Sequence, residues 1–166
     1  MKRATLAAAV VGILVASGFW WFSPTQVIKR QTKSLLDILT IEKSSGKVSR
    51  QMGTQSLSQF LAPQVELETP TIEESNGTFE RADVESAFAW LCNQAKQTHF
   101  KLTELQSITT SGNQAQVRLK LDGLVELPTY RPVDGNFFVT FNWLKTAEGW
   151  QLTYAKWEQT PYYFKN

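Results

Sequence analysis

Between Ala115 and Leu127 the chain alternates with a period of two. Ala115, Val117, Leu119, Leu121, Val125 and Leu127 fall on one side, and Gln116, Arg118, Lys120, Asp122 and Glu126 on the other. Successive side chains of a strand point to opposite faces, so this pattern is an antiparallel strand with one buried and one wet face. Such a strand requires paired neighbours and a cover for its apolar side.

The neighbours are legible. Phe100 to Ile108 reads as a strand before it, with a turn at Ser111-Gly112-Asn113. Asp134-Gly135 precedes a strand from Phe137 to Lys145, and Ala147-Glu148-Gly149 turns into a last strand from Trp150 to Glu158. The cover lies upstream. Thr25 to Lys43 has a helical apolar stripe of Ile28, Leu35 and Leu39, widened by Leu36 and Ile38. A short helix fits Thr54 to Leu61 and stops before Pro63. Gln64 to Glu68 alternates as a strand. A turn at Asn76-Gly77 and an extended Thr78-Phe79 follow. Asp83 opens a third helix with Val84, Ala87, Phe88, Leu91 and Ala95 as its inward stripe and Trp90 off it. Helices first and antiparallel strands last make an α+β domain, with a curved sheet wrapped on three helices.

Upstream of the domain, the 19 residues from Ala4 to Phe22 carry no charge, follow Lys2 and Arg3, and end in Phe19-Trp20-Trp21-Phe22. This run is long enough for one transmembrane helix, and Trp20 and Trp21 suit a membrane–water interface. The expectation is a retained anchor over residues 1–24, with lipid as a partner of residues 4–22. Cleavage after Val15-Ala16-Ser17 is the competing reading. The basic start keeps the N-terminus cytoplasmic and places residues 25–166 in the periplasm, tethered to the inner membrane.

Composition narrows the function. The net charge is +2 and the basic residues are dispersed, so no nucleic-acid partner is expected. Cys92 is the single cysteine, placed beside Phe88 and Leu91 as a buried filler. No internal disulfide can form. With one histidine and no ligand spacing, no metal site and no cofactor are expected. The Asn76-Gly77-Thr78 glycosylation pattern is accounted for by its turn signal.

Three local patterns carry a family resemblance. They are Phe60-Leu61-Ala62-Pro63-Gln64-Val65-Glu66-Leu67, Phe79-Glu80-Arg81-Ala82-Asp83-Val84, and Asp134-Gly135 with Glu148-Gly149-Trp150-Gln151-Leu152. In this element order, residues 25–160 resemble the nuclear transport factor 2-like (NTF2-like) superfamily, which includes SnoaL-type cyclases and ketosteroid isomerase. The resemblance implies a cone-shaped fold, a pocket at its wide mouth and frequent dimerisation through the sheet. It implies no single function. The isomerase pattern needs an aspartate base with a tyrosine and a protonated aspartic acid. The inward rows here are apolar, so no catalytic residue is assigned. Leu35, Phe88, His99, Val117, Leu119, Trp143 and Tyr154 are the expected pocket lining.

Aromatic residues crowd the last two strands, and Phe138 and Leu144 lie opposite the inward row of theirs. With Trp157 they form an expected interface on the outer sheet face. The leading expectation is a tethered, non-catalytic binding or assembly module, associating with itself or an envelope complex. The alternative is a small hydrophobic-ligand-binding or isomerase/cyclase-like domain using the cone pocket.

Overall fold

The computed structural model describes residues 21–70 and 76–160. Helix α1 spans Pro24–Leu39, α2 spans Lys47–Leu57, and a 3₁₀ turn follows at Ser58–Phe60. Strands β1 (Leu61–Glu68) and β2 (Gly77–Glu80) precede α3 (Arg81–Gln94). The long strands β3 (Gln97–Ser111), β4 (Gln114–Glu126), β5 (Val133–Thr146) and β6 (Gly149–Gln159) close the order. They form one six-stranded sheet in the order β2-β1-β6-β5-β4-β3. All pairs are antiparallel except β1–β6, which run parallel. The expected α+β architecture of three helices on a curved sheet is present, with that one parallel seam added.

Helix α1 begins at Pro24, whose fixed φ suits the first helical position and whose missing N–H costs nothing there. Ile28, Thr32, Leu35 and Leu36 are buried at helical spacing. The helix stops at Leu39, short of the expected Lys43, for a tertiary reason. Thr98 Oγ1 donates to the Leu39 carbonyl at 2.6 Å and accepts the Ile41 N–H at 2.9 Å. Ile41 and Thr98 also exchange backbone bonds. The chain after Leu39 therefore continues as a bridge to β3.

Helix α2 starts seven residues before the expected Thr54, and Leu61 already belongs to β1. Arg50, inside that missed part, reaches the end of α3. Its Nη1 donates to the carbonyls of Cys92 at 2.8 Å and Ala95 at 2.7 Å, and its Nε donates to Ser45 at 3.1 Å. It satisfies acceptors that a helix C-terminus leaves without partners. Only Phe88 and Cys92 of α3 are fully buried, and Ala87 of the expected stripe is exposed.

On the inner sheet face, Val117, Leu119 and Leu121 of β4 pair with Phe141, Val139 and Phe137 of β5. Most of these, with Trp143, are nearly inaccessible. Two register shifts in β3, between Leu102 and Glu104 and between Leu105 and Ser107, and one in the β5–β6 pair bend the sheet. They also break the period of two, which is why the half-buried apolar residues of β3 run Phe100, Leu102, Leu105, Ile108. The β3–β4 turn holds Gly112 at φ 57°, a conformation that glycine adopts without steric penalty.

Candidate functional site

The concave face of the sheet, α1, α2 and α3 line a partly open cavity of about 260 Å³. Leu35 and Leu39 come from α1, Leu57 from α2, and Val84, Ala87, Phe88 and Leu91 from α3. Leu61, Val65 and Leu67 of β1, Phe141 of β5, and Leu152, Ala155 and Trp157 of β6 complete the wall. Every described lining residue is apolar, because two periodicities converge: the inward stripe of each helix and the inward alternation of each strand. None can give or take a proton at neutral pH, so the cavity is built to hold apolar matter.

A second apolar space of about 180 Å³ lies toward the Thr69-Pro70 end of β1. Phe100, Gly123, Val125, Val133, Phe137 and Trp157 line it. Trp157 is common to both. Its indole packs edge-on against Phe100, Phe137 and Phe141, with centroids 5.5, 6.1 and 6.4 Å away. Edge-to-face packing suits aromatic quadrupoles.

Of the expected lining, Leu35 and Phe88 do line the main cavity. Val117, Leu119 and Trp143 are buried on the inner face but packed away from the space. His99 is elsewhere. In β3 its neighbours Thr98 and Phe100 turn inward, so His99 faces solvent. It borders an open groove of about 780 Å³ with Lys33, Asp37, Glu42 and Lys101.

Tyr154 is also outside, because it pairs with the outward Asn142 and Glu66. Its hydroxyl donates to Glu68 Oε1 at 3.0 Å. Burial, then the hydrogen bond to Glu68 and its charge, push the phenol above its ordinary pKa. Trp157, expected at the outer interface, is the reverse case. It pairs with Val139 and points inward. An irregularity next to Asn142 resets the phase of β6, which simple alternation could not reveal.

The outer face is polar. Phe138 is half-buried beneath Lys120, whose Nζ lies 5.3 Å from the ring centre. Lys120 also pairs with Glu104 at 2.6 Å. Leu144 is half-buried opposite Gln114 and Gln151. The expected aromatic outer face is thus Phe138, Leu144 and the Glu68-bound Tyr154 among charged and amide groups. Trp20 lies outside the described residues. Trp21 is exposed, with Arg30 stacked 4.7 Å from its ring centre. Among the described residues no helix is long and apolar enough to cross a membrane, and no group of acidic, histidine or cysteine side chains is placed to hold a metal.

Comparison with protein-family profiles finds no match, and comparison with curated proteins finds none either. Solved structures do match. An NTF2-like superfamily protein from Salmonella enterica superposes with a TM-score of 0.64 at 12% identity, covering 86% of this chain and 95% of that one. The fold is NTF2-like. A candidate dehydratase of the NTF2-like family from Streptomyces avermitilis gives 0.62 at 15% identity, covering 82% and 96%. A candidate aromatic ring hydroxylase from Novosphingobium aromaticivorans gives 0.56 at 16%, covering 66% and 76%. At such identities the likeness carries the NTF2-like fold alone. Gly123, which the sequence reading passed over, belongs to the second space. Its signal is a glycine at an inward position of an otherwise regular strand.

Proposed function

We propose that this NTF2-like domain binds a small hydrophobic molecule in the cavity between its helices and the concave face of its sheet. The wholly apolar lining of that cavity is the supporting observation. A partly open apolar space of about 260 Å³ leaves its lining without packing partners or in contact with water, which is unfavourable in either case. An apolar occupant removes that cost. Two structural neighbours are named as a candidate dehydratase and a candidate aromatic ring hydroxylase, which agrees with the pocket reading better than with an assembly module.

The test is titration with the neutral fluorophore N-phenyl-1-naphthylamine. Saturable one-site binding is expected, with loss of binding in Ala155→Leu, which fills the cavity from β6. Ala87→Phe fills it from the exposed side of α3 and serves if the first variant misfolds. Binding that survives both fillings in folded protein removes the proposal.

The uncharged run of residues 4–22 supports a separate proposal, a tether to the inner membrane with the domain on the periplasmic side. The exposed Trp21 and Phe22 at the foot of α1 agree with an interfacial position. Alkaline carbonate extraction of membranes is the check. Release of the full chain into the supernatant defeats this proposal without touching the pocket.

A further inference from the structure

The two apolar spaces share one lining side chain. It is Trp157, held in edge-to-face contact with three aromatic rings rather than by any hydrogen bond the structure records. Separately, the 260 Å³ and 180 Å³ spaces fall below the size of ordinary ligand pockets. Together, at about 440 Å³, they come within the usual range of about 300–1,000 Å³.

Gly123 and Phe137 both line the second space, and the Phe137 ring packs closely where a side chain at position 123 would begin. A Cβ there would lie 3.2 Å from the Phe137 ring and 3.3 Å from Leu121 Cδ1. The glycine is not at positive φ, so its backbone does not demand glycine. What it provides is room for the Phe137 ring, which a larger residue would push from its place in the wall of the second space.

We infer that the natural ligand is a long, slim apolar chain of the fatty-acyl class, which runs from the main cavity past Trp157 into the space beside Gly123. This rests on the pocket reading and adds the shape of the ligand to it. A compact ligand needs only the main cavity. An extended one must turn the indole aside, exchanging ring-edge contacts for contacts along the chain. Each methylene that enters leaves water, so affinity grows with chain length until both spaces are filled.

The experiment compares octanoic and palmitic acids by calorimetry and tryptophan fluorescence on the full chain. Palmitic acid is expected to bind at least about tenfold more tightly. Gly123→Val drives the Phe137 ring into the second space. It should abolish the preference by weakening palmitic acid binding far more than octanoic acid binding. Trp157→Phe should keep the preference and lose most of the fluorescence change that palmitic acid causes.

Equal affinity for the two acids in the wild type overturns the inference and leaves the pocket reading standing. So does a preference that Gly123→Val does not alter in folded protein. Failure of both acids and of N-phenyl-1-naphthylamine to bind overturns the pocket reading as well. Should Gly123→Val not fold, Gly123→Ala, which asks Phe137 to yield only a few tenths of an ångström, must reduce the preference in the same direction.

Discussion

Arg50 shows how one surface-lying charge can hold two elements. Its guanidinium spans the Ser45, Cys92 and Ala95 carbonyls, tying the loop after α1 and helix α2 to the end of α3. Removing it leaves part-buried carbonyls without their donors, so Arg50→Ala should lose about 1–3 kcal/mol in urea unfolding. Arg50→Lys should recover only part of this, because an ammonium lacks the planar fork.

Glu126 is a second such residue. Partial burial alone would raise its pKa. The hydrogen bond from Lys96, the charges of Lys43 and Lys96, and a hydrogen bond from Gln97 outweigh it and hold the carboxyl below its ordinary value. A carboxylate depressed in the folded state contributes stability above its unfolded pKa and loses it as pH falls through the folded one. The stability advantage of wild type over Glu126→Gln should therefore be present at neutral pH and vanish below the carboxylate range. Thermal melts of both proteins across pH check this, and a difference that persists in acid would contradict it.

The elements end where other elements reach them. Thr98, at the start of β3, is buried, and its hydroxyl bonds both the last carbonyl of α1 and the Ile41 N–H. Thr40 Oγ1 returns a bond by accepting the Phe100 N–H at 3.2 Å. Valine at position 98 keeps shape and strand preference but strands the Leu39 carbonyl. Thr98→Val should cost about 1–3 kcal/mol by denaturant unfolding. It should also speed amide exchange around Ile41, while β5 amides keep their protection in the native state. A neutral substitution would mean that α1 ends for local reasons. No local signal read from the sequence ends α1 there: Ser44-Ser45-Gly46, the stop that the sequence offered, is five residues further on.

At the scale of the molecule, the sheet has one closed face and one wet face. Phe138 and Val139 are adjacent in β5, yet Val139 is almost wholly buried and Phe138 sits outside under Lys120. Phe138→Asp should fold, with an unchanged far-ultraviolet spectrum and a loss of no more than about 1–2 kcal/mol. Val139→Asp should not fold at neutral pH, because an unpaired carboxylate in the core costs several kcal/mol. Equal effects of the two would mean that β5 is covered on both sides.

The sequence by itself determined the elements, their order and the inward row of β4, because those follow from a period of 2 or 3.6 and from turn residues a few positions apart. It also carried the resemblance that the NTF2-like superposition bears out at the level of fold. Only the tertiary structure decided which inward residues enclose empty space and which merely pack. Val117 and Leu119 look no different from Leu152 and Ala155 in the sequence, yet only the latter pair lines the cavity. It also decided the faces of Tyr154 and Trp157, because the register shift next to Asn142 changes the phase of β6. Periodicity reports a direction relative to the local backbone. A cavity depends on how far apart the elements stand, and that distance is set by long-range contacts such as Thr98 with Leu39 and Arg50 with α3.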